Sequence, residues 1–121
     1  MKKINSRSKA LFIAKIAQDK KAEDIVLLDM RKISNITDFF VILSGNSARQ
    51  LRSIADYIIE NLKQIGDKVW HLEGYPYSFW VLLDCGEVVV HLFTPGVRDF
   101  YNLERLWGDA PVLRLQTDEA E

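Results

Sequence analysis

Asp84, Cys85 and His91 stand within eight residues of one another in an otherwise apolar run, WVLLDCGEVVVHLF, from Trp80 to Phe93. A carboxylate, a thiol and an imidazole are the parts of a Cys-His nucleophilic centre. With His71 and Glu73 added, they are also the side chains a zinc ion selects. Either chemistry needs these groups to converge, and the run itself tests that. Cys85-Gly86 between two β-rich segments reads as the two-residue loop of a hairpin, with glycine supplying the positive φ such loops require. Asp84 then opposes Glu87, followed by Leu83 with Val88, Leu82 with Val89, Val81 with Val90 and Trp80 with His91. In that register Cys85 lies in the turn, and Asp84 and His91 share a face at opposite ends of the ladder. At roughly 3.3 Å per residue, Asp84 is about 13 Å from Trp80, the expected neighbour of His91. That spacing fits neither a triad nor a shared metal, and no catalytic residue, metal or cofactor is expected.

Alternation divides the hairpin into two faces. Phe79, Val81, Leu83, Val88, Val90 and Leu92 are wholly apolar and belong in the core. Trp80, Leu82, Val89, His91 and Phe93 make the other face, with Asp84 and Glu87 as its carboxylate rim. An aromatic anchor among aliphatics with a polar edge has the composition of a protein–protein contact. The plainer reading is that a helix of the same domain covers this face and His91 is a satisfied buried histidine. A second chemical signal, Gly45-Asn46-Ser47 between a strand end and a helix start, could hold a phosphate on backbone N–H groups. It matches neither glycine-rich nucleotide fingerprint, and Ser47 followed by Gln50 is explained by a capping box.

The elements that position these residues are legible in the periodicity. Ala10, Ile13, Ala14 and Ala17 form one stripe of a first helix over residues 8–18, with Lys15 on the far side. Asp24–Met30 and Phe39–Gly45 read as buried strands, joined by a connection whose Ile33 and Ile36 are expected to pack down. Leu51, Ile54, Ala55, Ile58, Ile59, Leu62 and Ile65 mark about four turns of amphipathic helix, stopped at Gly66. There follow a strand in Lys68–Gly74, a turn at Tyr75–Ser78, the hairpin, a Pro95-Gly96 breaker and a short amphipathic helix ending near Gly108. The expected fold is α/β, a single domain with a mixed five-stranded sheet flanked by helices. The domain is expected to span residues 1–110, with a weakly ordered tail at 111–121.

Composition narrows the function classes. The chain has 121 residues, 48% of them hydrophobic, and one cysteine, so no internal disulfide can form and a cytoplasmic setting is expected. The early apolar run Ala10–Ala14 is too short to span a bilayer. The net charge of −1 conceals a split: residues 1–21 hold seven bases and one acid, which leaves the remainder near −7. An acidic body suits a basic protein partner better than nucleic acid, although the basic first helix keeps a general RNA-binding reading open.

ITDFFVILSGNSARQLRSIAD, Glu73-Gly74, WVLLDCGEVVVHLF and RDFYNLERLWGDA resemble, in order and spacing over roughly Ser8 to Ala110, the Iojap family, whose bacterial members are the ribosomal silencing factors (RsfS). The resemblance implies a nucleotidyltransferase-like α/β fold. It implies a homodimer when free, and a protein that binds ribosomal protein fourteen of the large ribosomal subunit, blocks joining of the small subunit and represses translation when nutrients are short. A minor ribosomal RNA contact is allowed for, and no membrane is involved. The family's tryptophan matches Trp80, and its D-x-G-[DE]-V-x-V-H run matches Asp84, Gly86, Glu87, Val88, Val90 and His91. The expected contact is therefore Trp80, Leu82, Val89 and His91 with Asp84 and Glu87 as rim and Glu73 and Tyr75 as flank. Tyr101 and Trp107 also match the family pattern and are read as packing or dimer residues. The alternative is a residual nucleotidyltransferase or nucleotide-binding domain, for which Gly45 to Ser47 would serve as the turn. The acids that follow, Asp56 and Glu60, fall on a helix, and a two-metal site needs more than the one strand carboxylate, Asp84.

Overall fold

The computed structural model describes residues 5–113. Its elements run α1 (Ser6–Asp19), β1 (Glu23–Asp29), β2 (Phe39–Ser44), α2 (Ala48–Gln64), β3 (His71–Glu73), β4 (Trp80–Asp84), β5 (Val88–Phe93), α3 (Pro95–Tyr101), α4 (Leu103–Leu106) and β6 (Val112–Leu113). The strands form one mixed sheet in the order β3-β4-β5-β2-β1-β6. Only β2 and β5 run parallel; every other neighbouring pair is antiparallel. Parallel strands cannot be joined by a tight turn, and the long excursion through α2 and the β3–β4 pair supplies the crossover.

The two long helices follow from their stripes. Ala10, Ile13, Ala14 and Ala17 of α1, and Leu51, Ile54, Ala55, Ile58 and Leu62 of α2, are fully buried. They pack on Leu27, Val41, Leu43, Val81, Leu83, Val88, Val90 and Leu92 to make the main core on one face of the sheet. The start of α2 is written locally: Ser47 Oγ accepts from Gln50 N at 3.1 Å, and the Gln50 side chain reaches back to the N–H of Asn46. Its end is a Schellman motif, in which Asp67 N donates to Leu62 O and Gly66 N to Lys63 O.

Four features differ from the sequence reading. The sheet has six strands, because Val112–Leu113 pairs with Leu27 and Leu28 at the edge of β1. This sixth strand lies in the segment expected to be a weakly ordered tail; residues 114–121 of that segment lie outside the described residues. The final amphipathic helix is two short ones. Pro95 opens α3 instead of breaking structure, since a proline at the first helical turn lacks only an N–H that has no helical acceptor. Asn102, at φ 46°, then ends α3 and caps α4 with its side chain. Finally, Ile36 does not pack down: it is 90% exposed in the β1–β2 connection.

Candidate functional site

The hairpin closes one step later than Cys85-Gly86. Cys85 N donates to Val88 O at 2.9 Å, so the loop is Gly86-Glu87, with Gly86 at φ 87° in its first position, as a type II′ turn demands. Trp80 therefore opposes Phe93, Val81 opposes Leu92, Leu82 opposes His91, Leu83 opposes Val90 and Asp84 opposes Val89. Two forces favour this register over the expected one. It keeps Asp84 from facing Glu87 directly, and it carries the core alternation on to Cys85. The slip is two residues, so each side chain except those of the turn keeps its face while changing its partner.

Cys85 consequently leaves the turn for the main core, where it is fully buried. Burial pushes its thiol up to about 12, so it stays protonated at neutral pH. His91 lies on the opposite face and Asp84 is held by the turn, its Oδ1 accepting from Gly86 N at 2.9 Å. The sheet thus puts the thiol on the face opposite the imidazole, and Asp84, on the imidazole's side, is committed to the turn.

The sheet's second face is only partly roofed. Here α3 and α4 cover one end, making a smaller core of Leu28, Met30, Ile42, Phe93, Leu103 and Ala110, with Val26, Phe40, Trp80, Val97 and Trp107 against it. Leu82 and Val89 are half-buried and join neither core. Trp80 is half-buried, its ring 4.6 Å from Tyr101 and 5.0 Å from Phe93 between centroids. It therefore combines structural packing with an exposed edge and is not a free-standing anchor.

His91 is 6% exposed and contributes no open contact surface. Trp80 Nε1 donates to its Nδ1 at 3.1 Å, while Phe40 meets the imidazole edge-on at 4.7 Å. Desolvation pushes the imidazole down to about 4, so it is neutral at physiological pH. Since Nδ1 accepts, the ring proton is on Nε2, which has no hydrogen-bond partner among the described residues.

The remaining predicted residues divide. Glu73 opposes Leu82, which puts it on the open face beside His71, with which it pairs. Tyr75 is not part of that flank: it packs against the main core, and its hydroxyl donates to Asp56 of α2 at 2.9 Å. Gly74 fixes this change of side, because at φ 75° a Cβ on it would stand 2.1 Å from the Trp80 carbonyl oxygen. Glu87 sits in the turn, its carboxylate 3.6 Å from Lys9 Nζ. Lys9, 3% exposed at its side chain, also pairs with Asp67 at 2.9 Å and donates to Cys85 O. One of the bases of the expected basic helix is therefore a buried tie between α1 and the hairpin turn; Lys2 and Lys3 lie outside the described residues.

Phe79, assigned to the core, is 58% exposed just before β4, and the open face is extended instead by Phe100 and Tyr101 of α3, 82% and 50% exposed. Tyr101 meets both Phe100 and Trp80 ring to ring, which gives the face an aromatic end. Its other end is acidic on balance: a groove of about 580 Å³ at the hairpin tip is lined by Asp38, Asp67, Asp84 and Glu87 with Ile36, Trp70 and Val89, and Lys9 in the same lining pairs with Asp67 and Glu87. Only the doubling of aromatics at Phe100-Tyr101, which exceeds what a one-sided short helix can bury, signalled the aromatic end in advance.

The alternative nucleotide site has its groups committed to structure. Ser47 caps α2, Asp56 accepts from Tyr75, and Glu60 is exposed on α2. Among the described residues no three His, Cys, Asp or Glu side chains are grouped as a metal site. No described helix is long and apolar enough to cross a membrane.

Comparison with known proteins gives this geometry its context. Residues 3–121 match the family model described as ribosomal silencing factor during starvation, RsfS. The chain belongs to the RsfS family. It is 49% identical over 98 residues to the ribosomal silencing factor RsfS of Halalkalibacterium halodurans, covering 81% of this chain and 84% of that one. It is 45% identical over 112 residues to the RsfS of Bacillus subtilis, covering 93% and 95% respectively. A crystal structure of a Chromobacterium violaceum protein superposes with a TM-score of 0.84 at 33% identity, covering 87% of this chain and 88% of its own. RsfS membership ties the chain to the ribosome and to translational silencing, and directs attention to the surface on which a ribosomal component could dock.

Proposed function

We propose that this RsfS-family protein acts in the cytoplasm as an anti-association factor. It binds the large ribosomal subunit through ribosomal protein fourteen and sterically blocks joining of the small subunit, repressing translation under nutrient limitation. The observation that carries the reading is the half-roofed second face of the sheet: Leu82 and Val89 join neither core, flanked by Trp80 and the Phe100 and Tyr101 aromatics at one end and by Asp84 at the other. A basic ribosomal protein complements the acidic end, charge steering its approach, while the desolvated aromatic and aliphatic groups supply most of the affinity. The action is occupancy, without chemistry or cofactor. Free protein is a homodimer, and any ribosomal RNA contact is minor.

The test is order of addition. Large subunits incubated with the protein before small subunits are added form few full ribosomes on a sucrose gradient. A photo-cross-linking residue at position 82 captures ribosomal protein fourteen. Ribosome formation unaffected by the protein, or capture of RNA alone, refutes the reading.

A further inference from the structure

We propose that His91 is a positioning residue: it orients the Trp80 indole for docking through Nδ1, without touching the partner itself. The inference rests on the reading of the half-roofed face as the ribosomal contact. His91 is buried between Leu82 of β4 and Ile42 of β2, its neighbours across the sheet, and is walled by the Phe40 edge and by Phe93, stacked at 6.2 Å. Every one of these neighbours is apolar, and an aliphatic or aromatic side chain would satisfy them without stranding a polar atom. The imidazole strands one, Nε2, which has no partner among the described residues. A buried group left unpaired calls for an explanation beyond packing.

What the histidine adds is an acceptor. The indole N–H is the one polar group of Trp80 and can only donate, and His91 Nδ1 receives it at 3.1 Å. Ring contacts with Tyr101 and Phe93 hold the indole plane, yet they do not dictate which edge points inward. The hydrogen bond does. It turns the N–H edge toward His91 and so fixes which part of the ring is left for a partner. An indole fixed before docking has less rotamer freedom to lose in the complex.

The test combines large-subunit binding with the indole resonance of Trp80 in the free protein, assigned by its loss in Trp80→Phe. In His91→Leu the Nε1–H resonance moves and its exchange with solvent quickens, while binding weakens about tenfold, the scale of one hydrogen bond. His91→Asn, whose Oδ1 stands close to the place of Nδ1, restores both. In the Trp80→Phe background, which has no N–H to orient, His91→Leu changes binding less than twofold. Where leucine disturbs the packing, His91→Phe repeats the test with a flat ring that has no acceptor. An indole resonance unmoved by His91→Leu, or an equal loss of binding in both backgrounds, overturns the positioning role alone. Trp80→Ala binding as tightly as wild type removes the contact reading, and the proposal with it.

Discussion

The two faces of this sheet are built from the same strands by the same alternation, yet they end in different states. On one, α1 and α2 lay continuous apolar stripes over Val41, Leu43, Val81, Leu83, Val90 and Leu92, and the resulting core is closed. On the other, α3 and α4 are seven and four residues long, too short to roof six strands, and the surface beyond them keeps Leu82 and Val89 half-exposed. The difference teaches where to look for a docking surface. A face whose apolar content exceeds its own cover is the natural candidate for a contact with another molecule.

That contrast can be broken at either face, with different readouts. On the closed face, Ile58→Ala removes a fully buried side chain and is expected to lower folding stability by roughly 2–5 kcal/mol, read from the urea midpoint. On the open face, Trp80→Ala is expected to cost about 2–4 kcal/mol in binding to the large subunit. It also lowers stability, because the ring packs on Phe93 and Tyr101, so binding is compared at matched folded fraction.

The polar residue buried on the open face gives a pH signature. His91 is held at about 4 against an ordinary 6.5, so between those values the unfolded chain binds the proton and the folded one does not. Its contribution to stability is complete above pH 6.5 and declines as pH falls toward 4, by on the order of 2–3 kcal/mol. Between pH 7 and pH 4.5, urea unfolding is expected to show wild type losing that free energy relative to His91→Leu, whichever is the more stable at pH 7. Parallel pH dependences would show that His91 is not the neutral buried group described. The smallest effect is electrostatic. Asp84→Lys and Glu60→Lys change net charge equally, but only Asp84 lies on the open face. Asp84→Lys is expected to slow association at low salt, by about tenfold or less, with the effect fading at high salt. Equal slowing by both variants would reduce the acidic end to a net-charge effect.

Much of the closed face was legible in the sequence, because helical and strand periods are written residue by residue. The α1 and α2 stripes, the Ser47 cap and the stop at Gly66 all stand where local pattern put them. The hairpin's faces were legible as well, yet its partners were not. Alternation fixes parity, whereas register depends on a turn whose two candidate loops, Cys85-Gly86 and Gly86-Glu87, differ by small local preferences that the burial of Cys85 decides. The fate of Tyr75 was out of reach for a related reason: Gly74 carries the chain to the far side of the sheet, and the acceptor that holds it there, Asp56, is nineteen residues away. Likewise, Phe79 followed the right alternation but lies one residue before β4 begins, where no core continues to receive it.

The central claim is that the open face, and not the helix-covered side, meets the ribosome. Co-sedimentation with purified large subunits, comparing Leu82→Lys with Glu60→Lys after both are shown to melt as wild type does, tests it most directly. The account predicts that Leu82→Lys stays in the supernatant while Glu60→Lys pellets with the subunit. Pelleting of Leu82→Lys at wild-type levels, or loss of Glu60→Lys alone, would contradict it.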